Sequence, residues 1–446
     1  MLTTDSSATG PIIDRELLGG LDVCQQLGGL LWQHRTRRNL TQRQLAERIP
    51  VSIRGIRDIE QDRCRPRAET VRLIADGLGL DGQERVEFLA LAGHSTTSDQ
   101  LSALYRANPI PPPSRVDGLL GRDAELAALH GAFRSAGRPI VTIIGPSGVG
   151  KSRLALEVAG HLHQARRFGV LWTSSDEVRP TGTPVTPAPL AVVIRSGLDG
   201  LLTASGAELG ELAGVIGEHP TLLVLDGHDP NEVRMDRVGR LMQRCAGLRV
   251  LATADRQFQV PGERAFPLPP LAVPDHPGPH SPANLADMAS IRLLVSRARQ
   301  VRPELDVTPE NAGDIAVLTR CVDGLPAGLQ ALASWFAMYE PAELRQHAEA
   351  DPFGLLDDDG AGVRESLGES LTVLTDAERD CVGKLARLGT GFSISDAAAV
   401  TGLGSAVCAR LLRRLLAQGV IRPEAGQRRS RFRVLNLIRC LVSTGG

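Results

Sequence analysis

The residues best suited to do chemistry in this sequence form one short run, Gly145-Pro-Ser-Gly-Val-Gly-Lys151-Ser152. It fits the spacing G-x-x-x-x-G-K-S and lies between an apolar strand-like segment and a helical one, the context such a run needs. Gly145, Gly148 and Gly150 let the backbone turn its amides inward, and a helix starting near Lys151 adds its positive dipole end. The spacing predicts a polyphosphate cradle made by Gly145, Pro146, Ser147, Gly148, Val149, Gly150, Lys151, Ser152 and Arg153. Lys151 is expected to reach the terminal phosphates of ATP or ADP, and Ser152 to offer its hydroxyl to Mg²⁺. Of the 50 basic residues only Lys151 and Lys384 are lysines. A lysine where a compact ammonium is wanted therefore argues against a chance glycine-rich turn. The metal needs a second holder, and the apolar run Thr221-Leu-Leu-Val-Leu-Asp226 ends in a carboxylate. Lys151 and Asp226 are the candidate catalytic pair. Gly227 follows Asp226 and the next acid is Asp229, so a base beside the metal carboxylate is missing and any hydrolysis should be slow.

A second constellation is basic. Gln25 to Arg67 holds ten arginines against four acids. Within it, Leu40 to Glu60 has the layout of a helix-turn-helix, with Leu45, Ala46, Ile49, Val51, Ile56 and Ile59 as its buried seam. Thr41 and Ser52 are set to cap its two helices, with Pro50-Val51 as the turn. Ser52, Ile53, Arg54 and Arg57 then lie at the exposed start of a helix able to enter a major groove. Arg35, Arg37, Gln42 and Arg43 are placed to touch phosphates of double-stranded DNA. A helical protein-interaction module is the alternative; the arginine excess favours DNA.

The elements that must position these residues predict a multidomain fold. It comprises an all-α helix-turn-helix head (24–94), an α/β parallel-sheet nucleotide domain (118–270), a helical domain (284–360) and a C-terminal winged helix (361–446). A flexible leader (1–23), an interdomain linker (95–117) and a Pro-rich connection (271–283) complete the chain. Strands are expected at 140–144, 169–173, 221–225 and 249–253, alternating with helices. With 446 residues and a net charge of -1, the chain is long enough for about three cores. No apolar run approaches the ~20 residues that span a bilayer, and the first residues lack the form of a signal peptide, so the expected location is cytoplasmic. Seven cysteines are scattered singly and read as reduced thiols.

Residues 27–91 resemble the Cro/repressor-type helix-turn-helix found at the front of large actinobacterial regulators, with Pro50 in place of the usual turn glycine. Residues 118–442 resemble the NB-ARC type of STAND ATPase. Gly121-Arg-Asp123 is similar to its entry motif, Gly145 to Ser152 to its phosphate loop and Leu222 to Asp226 to its metal-binding strand. Leu251 to Glu263 follows its sensor strand, and Gly324-Leu-Pro326 its G-L-P motif. The resemblance implies nucleotide contacts from Arg122, Arg256 and Pro326, although Asp255 stands where that family places its sensor arginine. It also implies an ADP-bound resting state that opens on ATP exchange, and a helical-repeat array beyond the winged helix, whereas this sequence ends at Gly446. The expected function is an ATP/ADP-switched transcriptional regulator that binds operator DNA and forms a homo-oligomer in the ATP state. The rivals are a defence or stress sensor whose head only recruits, and a motor with sustained turnover.

Overall fold

The structure, a computed structural model, describes residues 27–61, 63–64, 66–80, 84–85, 88–89, 98–114, 118–134, 137, 139–175, 188–202, 209–274, 281–356, 361–388, 391–424 and 431–444. The chain falls into two compact units, residues 1–100 with 187–189, and residues 101–186 with 190–446. The expected leader lies outside the described residues.

The first unit contains α1 (Leu27–Arg37), α2 (Gln42–Arg48), α3 (Ile53–Glu60) and α4 (Ala68–Leu78). The polar residues before α2 and α3 stop the chain and start the helices. Thr41 and Gln44 form a reciprocal capping box, and the Ser52 hydroxyl accepts the Gly55 N–H at 3.1 Å. Leu45, Ile49, Ile56 and Ile59 are buried in one core with Leu31, Val71 and Ile74, and Ala46 and Val51 pack against it. The periodic seam expected from the sequence is the seam observed. Helix α1 lies so close to the end of α3 that a Cβ on Gly28 would sit 2.5 Å from the Ile59 carbonyl oxygen.

Helix α5 (Ser98–Ala107), which lies in the second unit from Leu101 onward, and α6 (Asp123–Arg134) precede β1 (Ile140–Ile144), α7 (Lys151–Arg166) and β2 (Gly169–Ser174). Then follow α8 (Ala188–Leu202), α9 (Leu209–Ile216), β3 (Thr221–Asp226), α10 (Met235–Arg244), β4 (Leu248–Ala254) and β5 (Glu263–Pro267). The sheet order is β2-β3-β4-β1-β5, every pair parallel. β1 and β3 are buried along their whole length, as strands covered on both faces must be, which explains their unbroken apolar sequences. Such a sheet offers its ligand site at the carboxyl ends of the strands, and the glycine loop leaves β1 there.

A helical layer continues with α11 (Pro282–Ala286), α12 (Ala289–Ala298), α13 (Ala312–Cys321), α14 (Pro326–Ser334) and α15 (Pro341–Ala350). The final stretch runs α16 (Ala361–Thr372), α17 (Asp376–Ala386), β6 (Phe392–Ser393), α18 (Ile394–Thr401), α19 (Ser405–Ala417), β7 (Ile421–Pro423), β8 (Arg431–Val434) and α20 (Asn436–Thr444). Its small antiparallel sheet has the order β6-β8-β7.

Two expectations are corrected. The stretch 95–117 is not a bare linker, since it contains α5, whose Leu101, Leu104 and Tyr105 are buried. Tyr105 meets the Thr221 hydroxyl at 3.0 Å, and the Ile110 carbonyl accepts the Val170 N–H at 2.8 Å. Apolar residues spaced three and four apart thus dock this segment on the sheet edge despite its prolines. The sheet also has an unexpected fifth strand, β5, whose side chains are mostly exposed or half-buried. Among the described residues no helix is long and apolar enough to cross a membrane.

Candidate functional site

The loop between β1 and α7 is held by contacts that leave room only for glycine at its bends. Gly148 has φ +74, and a Cβ there would lie 2.7 Å from the Ala327 Cβ of α14; the left-handed turn and the close approach both require the missing side chain. The Gly148 carbonyl accepts the Ala327 N–H at 3.1 Å. Lys151 begins α7 and folds back, its Nζ donating to the carbonyls of Gly145 (2.7 Å) and Pro146 (3.2 Å) and pairing with Asp255 at 2.8 Å.

Asp226 ends β3, is 7% exposed, and accepts the Thr253 hydroxyl at 2.6 Å. That hydroxyl oxygen also accepts the Gly227 N–H at 2.8 Å, so one threonine ties the ends of β3 and β4 together. Beyond β4, Arg256 pairs with Asp229 at 3.0 Å. The Asn231 backbone N–H and then the Arg256 guanidinium hold the Asp229 carboxyl below the usual carboxylate range.

Gly148, Lys151, Asp229, Thr253, Asp255 and Arg256 line a cavity of about 1030 Å³. Its walls include the sheet ends with the glycine loop, the segment from Gly118 to Arg122, Leu293, Arg297 and Pro326 to Gln330 of the helical layer, and Ser366 to Val373 with Gln418 of the final stretch. A Cβ on Gly419 would lie 2.2 Å from Pro146 Cδ, which brings the turn after α19 directly onto the glycine loop. The turn before α14 is anchored by Asp323, whose carboxylate accepts the N–H groups of Asn436 and Leu437 at 2.8 and 2.9 Å, capping α20. Three lining residues carry a buried polar atom with no hydrogen-bond partner: Arg153 Nη2, Ser366 Oγ and Gln418 Oε1. Buried polar atoms are almost always paired, so a polar ligand on this wall would satisfy a need already present.

In the first unit, the start of α3 presents Ser52, Ile53, Arg54 and Arg57 to solvent, with the Arg54 side chain 93% exposed. Arg37 and Arg43 are exposed as well.

Residues 26–88 match the helix-turn-helix domain family, and residues 118–260 match the AAA ATPase domain family. The chain joins a helix-turn-helix domain to an AAA ATPase domain. An uncharacterized protein of Mycobacterium tuberculosis is 27% identical over 303 residues, covering 63% of this chain and 68% of its own. A second protein of that organism, named provisionally as an HTH-type transcriptional regulator, is 25% identical over 312 residues. That alignment covers 67% of this chain, which spans only 33% of the longer relative. Among solved structures, a Signal Transduction ATPase with Numerous Domains from Pyrococcus horikoshii, with a tetratricopeptide repeat sensor, aligns at 15% identity and a TM-score of 0.30. The alignment covers 76% of this chain and 44% of that one.

The cavity gathers Arg122, Ser147, Gly148, Val149, Gly150, Lys151, Ser152, Arg153 and Arg256 of the AAA ATPase domain with Pro326 beyond it, but not Gly145, Pro146 or Asp226. Gly145 and Pro146 serve through their carbonyls. Arg122 lines the cavity, its guanidinium held by Glu125 at 2.8 Å and the Pro269 carbonyl at 2.7 Å. Ser366 and Gln418 also line the cavity and carry no sequence signal, because no local pattern marks residues that meet the loop only through the tertiary fold. In the helix-turn-helix domain, Arg35 and Gln42 are half-buried and already hold a partner within the fold. Arg35 forms a two-pronged pair with Glu60 at 2.6 and 3.2 Å, and Gln42 donates to the same carboxylate at 2.6 Å.

Proposed function

We propose that this protein is a nucleotide-switched transcriptional regulator, in which the AAA ATPase domain binds ATP or ADP and thereby controls how the helix-turn-helix domain engages operator DNA. The observation that carries the reading is the cavity itself. A nucleotide whose phosphates rest on Ser147 to Ser152 would touch the sheet domain, the helical layer and the final stretch at once. A ligand that contacts several segments shifts their arrangement by its differential affinity for the alternatives. The provisional name of the longer mycobacterial relative supports the same direction.

Within this reading Lys151 exchanges its carbonyl partners for phosphate oxygens, and the glycine-loop amides and the amino end of α7 hold the remaining charge. Mg²⁺, when bound, would supply charge neutralisation to the phosphates. The hydroxyl of Ser152 and the carboxylate of Asp226 are the hard oxygen donors that would hold it, and the phosphates would supply further oxygens. We read the final stretch as a winged helix, from its order of helix, strand, two helices and a hairpin. The ATP-bound form is proposed to assemble as a homo-oligomer that arrays the DNA-binding heads. On the DNA side, Arg37, Arg43, Ser52, Ile53, Arg54 and Arg57 remain as the contact set.

The test is Lys151→Ala, read by calorimetry with Mg-ATP and Mg-ADP and by anisotropy of DNA fragments recovered in a genomic pull-down. The variant should lose nucleotide binding and the nucleotide dependence of DNA affinity together. A Lys151→Ala protein that still adjusts its DNA affinity to ATP would refute the switch.

A further inference from the structure

At the phosphate end of the cavity two cations, Lys151 and Arg256, already hold a carboxylate. Lys151, 12% exposed, pairs with Asp255 at 2.8 Å, and Arg256 pairs with Asp229 at 3.0 Å. Asp255 follows β4 directly, and β4 is hydrogen-bonded to β1, the strand that feeds the glycine loop. The backbone therefore carries the Asp255 carboxylate to the same ammonium that a terminal phosphate would use. An ammonium has three donors; two go to the Gly145 and Pro146 carbonyls and the third to Asp255.

We propose that Asp255 sets the preference of this pocket for nucleoside diphosphate over nucleoside triphosphate. The proposal rests on the reading of the glycine loop as a polyphosphate cradle. A β-phosphate seated on the loop amides can share Lys151 from the loop side while Asp255 keeps its place. A γ-phosphate extends past the β-phosphate toward the end of β4, where a second anion bound to Lys151 meets the carboxylate at a few ångströms. Two like charges at that separation repel, more strongly inside a cavity than in bulk water. Asp255 is 54% exposed, so solvent screens part of this repulsion. The triphosphate must then push Asp255 off Lys151, and the freed carboxylate can swing to water.

The experiment is equilibrium titration of the nucleotide-stripped full chain with Mg-ADP and Mg-ATP, comparing wild type with Asp255→Asn. The asparagine keeps the shape and removes the charge. Wild type should bind ADP tighter than ATP by about tenfold, the scale of one partly screened charge contact. D255N should bring the two affinities within about threefold, chiefly by tightening ATP. Equal melting temperatures of the two proteins establish that the substitution leaves the fold intact. An ADP:ATP ratio unchanged by D255N overturns the proposal while leaving the cradle standing. A selective loss of ATP binding in D255N overturns it as well, because Asp255 would then serve the triphosphate. Wild-type protein that binds neither nucleotide overturns the cradle itself and this proposal with it.

Discussion

The helix-turn-helix domain and the AAA ATPase domain both face phosphate in the reading proposed here, and they do so by opposite means. The head offers arginines on a convex helix, where the Arg43–Glu47 and Arg54–Asp58 pairs at 3.1 and 3.8 Å are exposed and contribute little to stability. Such a surface attracts a polyanion by summed charge and gives way to salt. The cavity offers one lysine, a bent backbone and buried polar atoms awaiting partners. There, geometry does the selecting, and the loss of one atom's place matters more than the loss of one charge. The arginines of the head also divide into two kinds: Arg54 and Arg57 belong to the surface, whereas Arg35 belongs to the interior.

That division predicts the largest effect. Arg35 and Glu60 are 13% and 6% exposed, so Arg35→Ala would leave a buried carboxylate with Gln42 as its remaining side-chain partner. Removing one partner of a buried pair costs about 3 kcal/mol, and hydrogen exchange of the α1 and α3 amides should register it. Unchanged protection would mean that Arg35 is a surface residue after all. In the cavity, Gly148→Ala forces a Cβ against Ala327 at a left-handed position. It should weaken nucleotide binding by about a hundredfold, on the scale of several lost charge-assisted hydrogen bonds; a change below threefold would break the contrast between geometry and charge. Arg57→Ala is milder, lowering DNA affinity by about tenfold and the salt slope by about one. A slope that does not move would remove Arg57 from the phosphate-facing set.

The sequence made legible whatever is decided within a few residues. The glycine loop, the Thr41 and Ser52 caps and the alternation of apolar strands with helices are local patterns, and each stands where expected. The features that escaped depend on distant partners. Glu60 lies 25 residues from Arg35, and nothing near either predicts their pairing. β5 has the polar face of an edge strand, and its place is marked by Glu263, which accepts the Thr142 hydroxyl at 2.6 Å and the Phe258 N–H at 3.0 Å. Gln418 meets the nucleotide cavity only because the turn after α19 returns to Pro146. Asp255 was noticed as a misplaced acid; its partner became visible only once β1 and β4 were neighbours.

The smallest expected effect separates the two regions by pH. In the head, His34 is 4% exposed, its Nε2 is buried without a partner, and its ring meets Phe88 edge-on. Burial, helped by Arg38 and Arg37 and opposed by Glu84, pushes its pKa below the ordinary 6.5. The unfolded chain takes up a proton near 6.5, while the folded head resists it until lower pH. Below 6.5 the unfolded state therefore binds more protons, and the head loses stability as pH falls. His130 and His219 of the second unit are also lowered, chiefly by burial, so melting of the whole chain will not isolate the head. Hydrogen exchange will: protection of α1 and α4 should drop as pH falls below the ordinary 6.5, where the unfolded chain takes up the proton that the folded head resists. His34→Gln should flatten that slope in the head and leave the slope of the β1 and β3 amides as it was. If His34→Gln changed neither, the imidazole would be open to water, and the head would have no buried histidine to titrate.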